Sequence, residues 1–250
     1  MKKYLEHFYA FLGVFNFLFW YLCLFPIYVI LISRKEWHIY TKRINQIFGN
    51  LIFWCIGIPI IKYSKGFYHI SGNQYIFVAN HTSYLDVPLI SATSPVTTIF
   101  MGKKSLAKIP LFGYMYKRLH IPFDRKSPHD IHTSLQKARD VLSRKMSLGI
   151  FAEGGIRTSN PPHLAPFKEG AFILAIEQKI PIVPVVLLDN WYIFWNLSFR
   201  LKWKPARIIY CTPIQTQHLT LQDAEALKQQ TWDIIQTEIE KEYGTLKKDN

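Results

Sequence analysis

The sequence predicts an α/β domain with a mixed sheet and helices around it, preceded by an N-terminal apolar helical membrane anchor. Three observations lead there. Residues 8–32 carry no charge. Short β-rich runs recur after Gly66, and segments of helical periodicity lie between them. The chain is therefore read as an anchor over residues 1–65 and an α/β domain over residues 66–250.

The first run, FYAFLGVFNFLFWYLCLFPIYVILI, is 25 residues long. As a helix it rises about 37 Å, enough to cross a hydrocarbon core of about 30 Å with some tilt. It exceeds an ordinary signal-peptide core, and no A-x-A-like cleavage site follows. Its aromatic content suits a membrane and its interface. The next apolar stretch, LIFWCIGIPII at residues 51–61, is too short to span and holds Gly57 and Pro59. Lys2 and Lys3 precede the long run, and Arg34, Lys35, Lys42 and Arg43 follow it. That distribution suits a membrane-associated protein, at an inner or plasma membrane, with its catalytic domain on the cytoplasmic side. A helix pair dipping into one leaflet fits the same two basic flanks, so spanning is left open.

In the body, strands are expected at residues 75–79, 97–101, 148–152, 182–188 and 207–211. A helix is expected at 130–145, where Ile131, Leu135, Ala138 and Leu142 recur at three- and four-residue steps, with Ser127 and Pro128 as its start signal. Thr220 is positioned to cap a last helix carrying Ala224, Leu227, Ile234 or Ile235, and Ile239 on one face.

The chain has 250 residues, 49% of them hydrophobic, and a formal net charge of +13. This supports a real core and argues for an anionic partner. No zinc-finger spacing, RNP-like motif or long basic helix is present, so membrane lipid or phosphate is favoured and no nucleic-acid partner is expected. Cys23, Cys55 and Cys211 are far apart and lie in apolar surroundings, and they read as buried free thiols. His120, His129, His132 and His163 are scattered without HExxH, so no metal is expected.

The stretch ANHTSYLDVP raises the chemical question. On a regular helix His81 and Asp86 would lie roughly 140° apart. If His81 leaves a strand and Asp86 opens a helix including Pro88, the carboxylate can fix the imidazole tautomer and leave the opposite nitrogen as a base. A helix-capping aspartate with a histidine packed nearby is the structural alternative.

ANHTSYLD resembles the NHxxxxD motif of the glycerolipid acyltransferases typified by 1-acylglycerol-3-phosphate acyltransferase. Three further blocks follow in family order. KSLAKIPLFGYMYKRLHIPFDR looks like the lysine-containing segment and the F-I-D-R-like block, FAEGGIR is similar to F-P-E-G-T-R, and IPIVPV is similar to the proline-rich fourth block. FKEGAF also looks familial. The resemblance covers residues 75–186. It departs at Leu119, where glycine is usual, at Ala152, where proline is usual, and at Ile156, which adds a residue before Arg157.

The resemblance implies acyl transfer from acyl-CoA or acyl carrier protein to the free hydroxyl of 1-acylglycerol 3-phosphate, giving phosphatidic acid, with no other cofactor. It implies His81 as general base and Asp86 as its orienting partner. Arg125, Arg157 and Lys104 are the candidates for binding substrate phosphate. Glu153 is expected to position Arg125 or Arg157, or to bind the acceptor, and backbone N–H groups near Gly154 and Gly155, or at a helix start, to receive the oxyanion. The aromatic and cationic stretch NWYIFWNLSFRLKWK is expected to help seat the domain on anionic membrane lipid, with a core or dimer surface as the alternative. Rival readings are the same chemistry on another lysolipid or an amino-acid lipid, a non-catalytic membrane-binding module, and a lipid hydrolase. The last lacks a nucleophile constellation, since Ser83 beside the pair makes no triad.

Overall fold

The computed structural model describes residues 2–156, 161–195 and 199–244. Arg157 lies outside the described residues. The chain opens on helix α1 (Lys2–Leu31), which runs through Pro26 without ending there. Only 17% of its most apolar window is buried. Phe8, Phe11, Phe15, Leu18, Leu22 and Ile30 are exposed along its outer face. Helix α2 (Thr41–Cys55) follows and packs between α1 and the body.

The sequence expectation for residues 51–61 is corrected here. α2 ends at Cys55, Gly57 turns the chain at φ +66°, and strand β1 (Ile60–Lys65) starts at once. β1 escapes a periodicity reading because it is an edge strand with little burial and two lysines, the usual guard against edge pairing. Its pairing with β9 carries the sheet back into the stretch read as anchor.

Strand β2 (Ile76–Ala79) is fully buried and leads to helix α3 (Asp86–Thr93). Strand β3 (Thr98–Lys103), helix α4 (Phe112–Leu119) and strand β4 (Ile121–Phe123) come next. β4 carries Pro122 at the sheet edge, where a missing N–H is tolerated. Helix α5 (Pro128–Ser143) starts as its sequence indicates, with the Ser127 hydroxyl accepting from the Asp130 N–H at 3.2 Å. Its buried stripe is Ser134, Ala138, Val141 and Leu142, whereas Ile131 is exposed.

Strand β5 (Ser147–Phe151), helix α6 (Gly170–Gln178) and strand β6 (Ile182–Leu187) continue the βαβ alternation. A short helix α7 (Asn190–Ile193) runs into a small hairpin, β7 (Phe194–Trp195) and β8 (Arg200–Leu201). Strand β9 (Ala206–Cys211) and the long helix α8 (Ala224–Tyr243) close the fold. Thr220 and Asp223 form a capping box just ahead of α8, and Ala224, Leu227, Ile235 and Ile239 are buried along it.

The seven-stranded sheet has the order β1-β9-β6-β2-β5-β3-β4. All neighbours are parallel except β6 and β9, so the sheet is mixed. Its two faces are buried by separate apolar clusters, one including α5, α6 and α8, the other including α2 and α3. Helices α1 and α2 are not a detached appendage. A Cβ at Gly49 of α2 would stand 2.6 Å from the Pro88 carbonyl of α3, so the absence of a side chain lets the two helices touch. Of the three cysteines, only Cys211 is buried; Cys23 and Cys55 are exposed on α1 and α2, which corrects the expectation of three buried thiols.

Candidate active site

The central strands set the frame. Ala79 at the end of β2 is in register with Phe151 of β5 on one side and Val185 of β6 on the other. Segments leaving these strands therefore meet at the carboxyl edge of the parallel sheet, where ligands of open α/β folds bind. His81, Glu153 and Asn190 all lie within three residues of such a strand end.

His81 Nδ1 is 2.8 Å from Asp86 Oδ2. The turn between them makes this possible, because Asp86 is the first residue of α3 and its carboxylate folds back over the turn. The same oxygen accepts the backbone N–H groups of Thr82 at 2.8 Å and Ser83 at 2.9 Å. Oδ1 accepts the Asn190 amide at 2.8 Å. A carboxylate can only accept in these contacts, so Nδ1 carries a proton, and in the neutral ring Nε2 presents a lone pair. The Asp86 side chain is fully buried and the His81 side chain 16% exposed, which leaves the ring accessible and its partner shielded. The ring stacks on Phe151 with centroids 3.9 Å apart. The helix-capping alternative does not hold: the N-cap of α3 is Leu85, without a side-chain cap bond, and Asp86 Oδ2 serves the backbone of the preceding turn and the imidazole instead.

Glu153 holds the motif from the neighbouring strand. Oε1 accepts the His81 N–H at 2.7 Å and Oε2 the Ala165 N–H at 3.0 Å. Complete burial pushes its carboxyl up to about 7, against the pull of these two donors. A carboxyl raised from about 4.5 in this way contributes stability that is present below pH 4.5 and is lost as pH rises through about 7. Glu153→Gln sets an amide donor against one of the two N–H groups. It is expected to lower the melting temperature and to flatten its decline between about pH 5 and 7; thermal unfolding in detergent across that range checks this.

Arg125, at the end of the second block, lies against the third. A Cβ on Gly155, whose φ is +143°, would fall 2.3 Å from Arg125 Nη1. The glycine thus keeps the space that the guanidinium occupies. Arg125 also sits over the Phe123 ring at 5.7 Å. Lys104 is placed differently from the sequence expectation. Its ammonium pairs with Asp130 at 2.6 Å on an exposed surface, because Asp130 in the first turn of α5 faces the end of β3. The Gly154 N–H donates to Phe151 O at 3.0 Å in the turn after β5.

Ser83 is fully buried, and its hydroxyl donates to Phe194 O at 2.5 Å, so it is committed to the β7 backbone. His120 is half-buried, accepts the Phe100 N–H through Nδ1 at 3.2 Å, and is pushed down to about 4 by desolvation. Among the described residues, no group of three or more His, Cys, Asp and Glu side chains is placed to hold a metal ion.

Two features were not read from the sequence. Asn80 latches β2 to β6, donating to Leu187 O at 3.0 Å and accepting its N–H at 2.8 Å. Asn190 reaches Asp86 across 104 positions of chain. The available signal was a polar Asp-Asn pair directly after a long apolar strand. The stretch expected to seat on lipid is divided. Lys204 turns inward to Asp189 at 2.6 Å and Asn190 is buried, whereas Phe199 and Trp203 are exposed. Residues 196–198 lie outside the described residues.

Comparison with known proteins follows the same division. The chain is 33% identical over 174 residues to the 1-acyl-sn-glycerol-3-phosphate acyltransferase of Cocos nucifera, covering 69% of this chain and 55% of that protein. It is 29% identical over 204 residues to the protein of the same name from Limnanthes alba, covering 77% of this chain and 69% of that one. The chain thus spans a little over half of the coconut protein. The crystal structure of the 1-acyl-sn-glycerophosphate (LPA) acyltransferase PlsC from Thermotoga maritima superposes with a TM-score of 0.77 at 18% identity, covering 99% of this chain and all of that one, and shares the fold. The model of the Acyltransferase family matches residues 61–188, more than half of the chain and all four sequence blocks, and the protein belongs to that family.

Proposed function

We propose that this protein transfers a fatty acyl group from acyl-CoA or acyl carrier protein to the free hydroxyl of 1-acylglycerol 3-phosphate, giving phosphatidic acid. The observation that carries the reading is the His81–Asp86 contact at 2.8 Å, at the carboxyl edge of the sheet and in the same loop cluster as Arg125. The names of the relatives support the acceptor.

The acceptor hydroxyl is a weak nucleophile until its proton is removed as the C–O bond forms. Nε2 of His81 takes that proton, a contribution of roughly 10²–10⁴ in rate. Asp86 stabilises the resulting imidazolium. Collapse of the tetrahedral intermediate breaks the C–S bond, and the imidazolium returns the proton to the departing thiolate. The thioester supplies the driving force, so no further cofactor enters. With Ser83 engaged by Phe194 O, direct transfer is preferred to a covalent acyl-enzyme.

Arg125 is assigned to the acceptor phosphate, which a guanidinium can grip through two bonds. Arg157 is a second candidate. The exposed apolar face of α1 is assigned to the bilayer in which the acceptor resides, with the catalytic domain on the cytoplasmic side of an inner or plasma membrane. A phosphate on the acceptor gives the reading its test. In vesicles supplied with one labelled acyl donor, lysophosphatidic acid should be acylated in preference to phosphate-free monoacylglycerol and amino-acid lipid. Arg125→Ala should raise its KM roughly 10- to 100-fold, the loss of one charge-assisted pair. Equal use of phosphate-free acceptors, with KM unmoved by Arg125→Ala, would overturn the assignment.

A further inference from the structure

The corner that follows β6 carries two residues whose usual place is a helix cap, yet neither caps α7. Asp189 has no side-chain bond to the start of that helix. It is fully buried and held from three directions. Arg207 of β9 donates to its two oxygens at 2.6 and 2.8 Å, the Lys204 ammonium lies at 2.6 Å, and the Tyr243 hydroxyl of α8 at 2.9 Å. Arg207 is itself paired with Glu242 at 2.7 Å, and Tyr243 also lies 3.0 Å from the Leu188 carbonyl. The last turn of α8 and strand β9 therefore clamp the backbone from which Asn190 projects.

Asn190 turns the other way and meets Asp86. Oδ2 of that carboxylate serves three donors, His81 Nδ1 and the N–H groups of Thr82 and Ser83, all on the near side of the turn. Oδ1 points away from them and takes the Asn190 amide at 2.8 Å. Because the carboxylate only accepts, the amide must present its NH₂ group there. This bond acts on the dyad through geometry. It blocks rotation of the carboxylate plane about the Cβ–Cγ bond, keeping Oδ2 aligned with the imidazole. It also supplies a hydrogen-bond partner to an oxygen that has no access to water.

We infer that Asn190 is a positioning residue for the His81–Asp86 pair, delivered to it by the Asp189 clamp of β9 and α8. The inference rests on His81 acting as the base in the proposed reaction.

The test compares wild type, Asn190→Ala, Asn190→Asp and His81→Ala in vesicles containing lysophosphatidic acid, with kcat, KM, the pH profile of kcat/KM and thermal unfolding measured for each. Asn190→Ala should lower kcat about 10- to 100-fold while KM changes less than about twofold, the mark of a misaligned base rather than a lost substrate contact. Asn190→Asp has nearly the same shape. When ionised it adds a negative charge beside Asp86, which should move the acidic limb of kcat/KM up by about one pH unit. A purely structural asparagine would lower the melting temperature without moving that limb.

Wild-type kcat and an unmoved acidic limb in both folded Asn190 variants, with His81→Ala inactive, would overturn this inference and leave the proposed reaction standing. Loss of fold in both variants would assign Asn190 to the scaffold and overturn it as well. Full activity of His81→Ala would remove the proposed mechanism and this inference together.

Discussion

Asp86→Asn is expected to lower kcat by about 10²–10³-fold while the protein stays folded and membrane-attached. The reasoning follows from the donors around the carboxylate. Three N–H groups converge on Oδ2 and one amide on Oδ1. An asparagine at 86 must place one NH₂ group among them. Facing Oδ2's position, that group would oppose three donors. Facing Asn190, it meets an amide that can flip and offer its oxygen. The second arrangement wins, so the His81 ring keeps its acceptor and its tautomer. What is lost is the negative charge beside the imidazolium, and with it the stabilisation of the proton in flight. The checks are kcat with lysophosphatidic acid alongside vesicle co-sedimentation. A fall below tenfold would mean that the charge of Asp86 does no catalytic work.

The same geometry explains which parts of the molecule could be read from the sequence. His81 and Asp86 lie five positions apart in one turn, so local chain geometry brings them near each other. The buried strands were legible because they are apolar runs bounded by turn residues, and α5 because Ser127 and Pro128 announce its start. β1 and β4 were not, one being an exposed, lysine-bearing edge and the other three residues long with a proline. Asn190, the Asp189 clamp and the engagement of Lys104 by Asp130 depend on contacts between distant segments. No periodicity encodes such pairings. The Gly154 N–H bond to Phe151 O belongs to a turn whose closure only the fold reveals.

The helices of the N-terminal segment bear on the site through packing. α2 meets α3 at Gly49, and α3 begins with Asp86. An apolar surface on α1 and a carboxylate that orients the imidazole are thus two helix contacts apart. This arrangement suits an enzyme whose acceptor is drawn from a bilayer, because seating the anchor fixes the orientation of the catalytic edge.

Central to the account is a single imidazole nitrogen, Nε2 of His81, taking the proton from the acceptor hydroxyl. Its direct measure is the turnover of His81→Ala in vesicles with lysophosphatidic acid and a labelled acyl donor. Truncation leaves Asp86 with its two backbone donors and Asn190, and leaves Glu153 bound to the backbone N–H of residue 81, so the fold and the membrane attachment should persist. The expected result is a loss of about 10³-fold or more in kcat at unchanged vesicle binding. Turnover within about tenfold of wild type would contradict general-base transfer by His81.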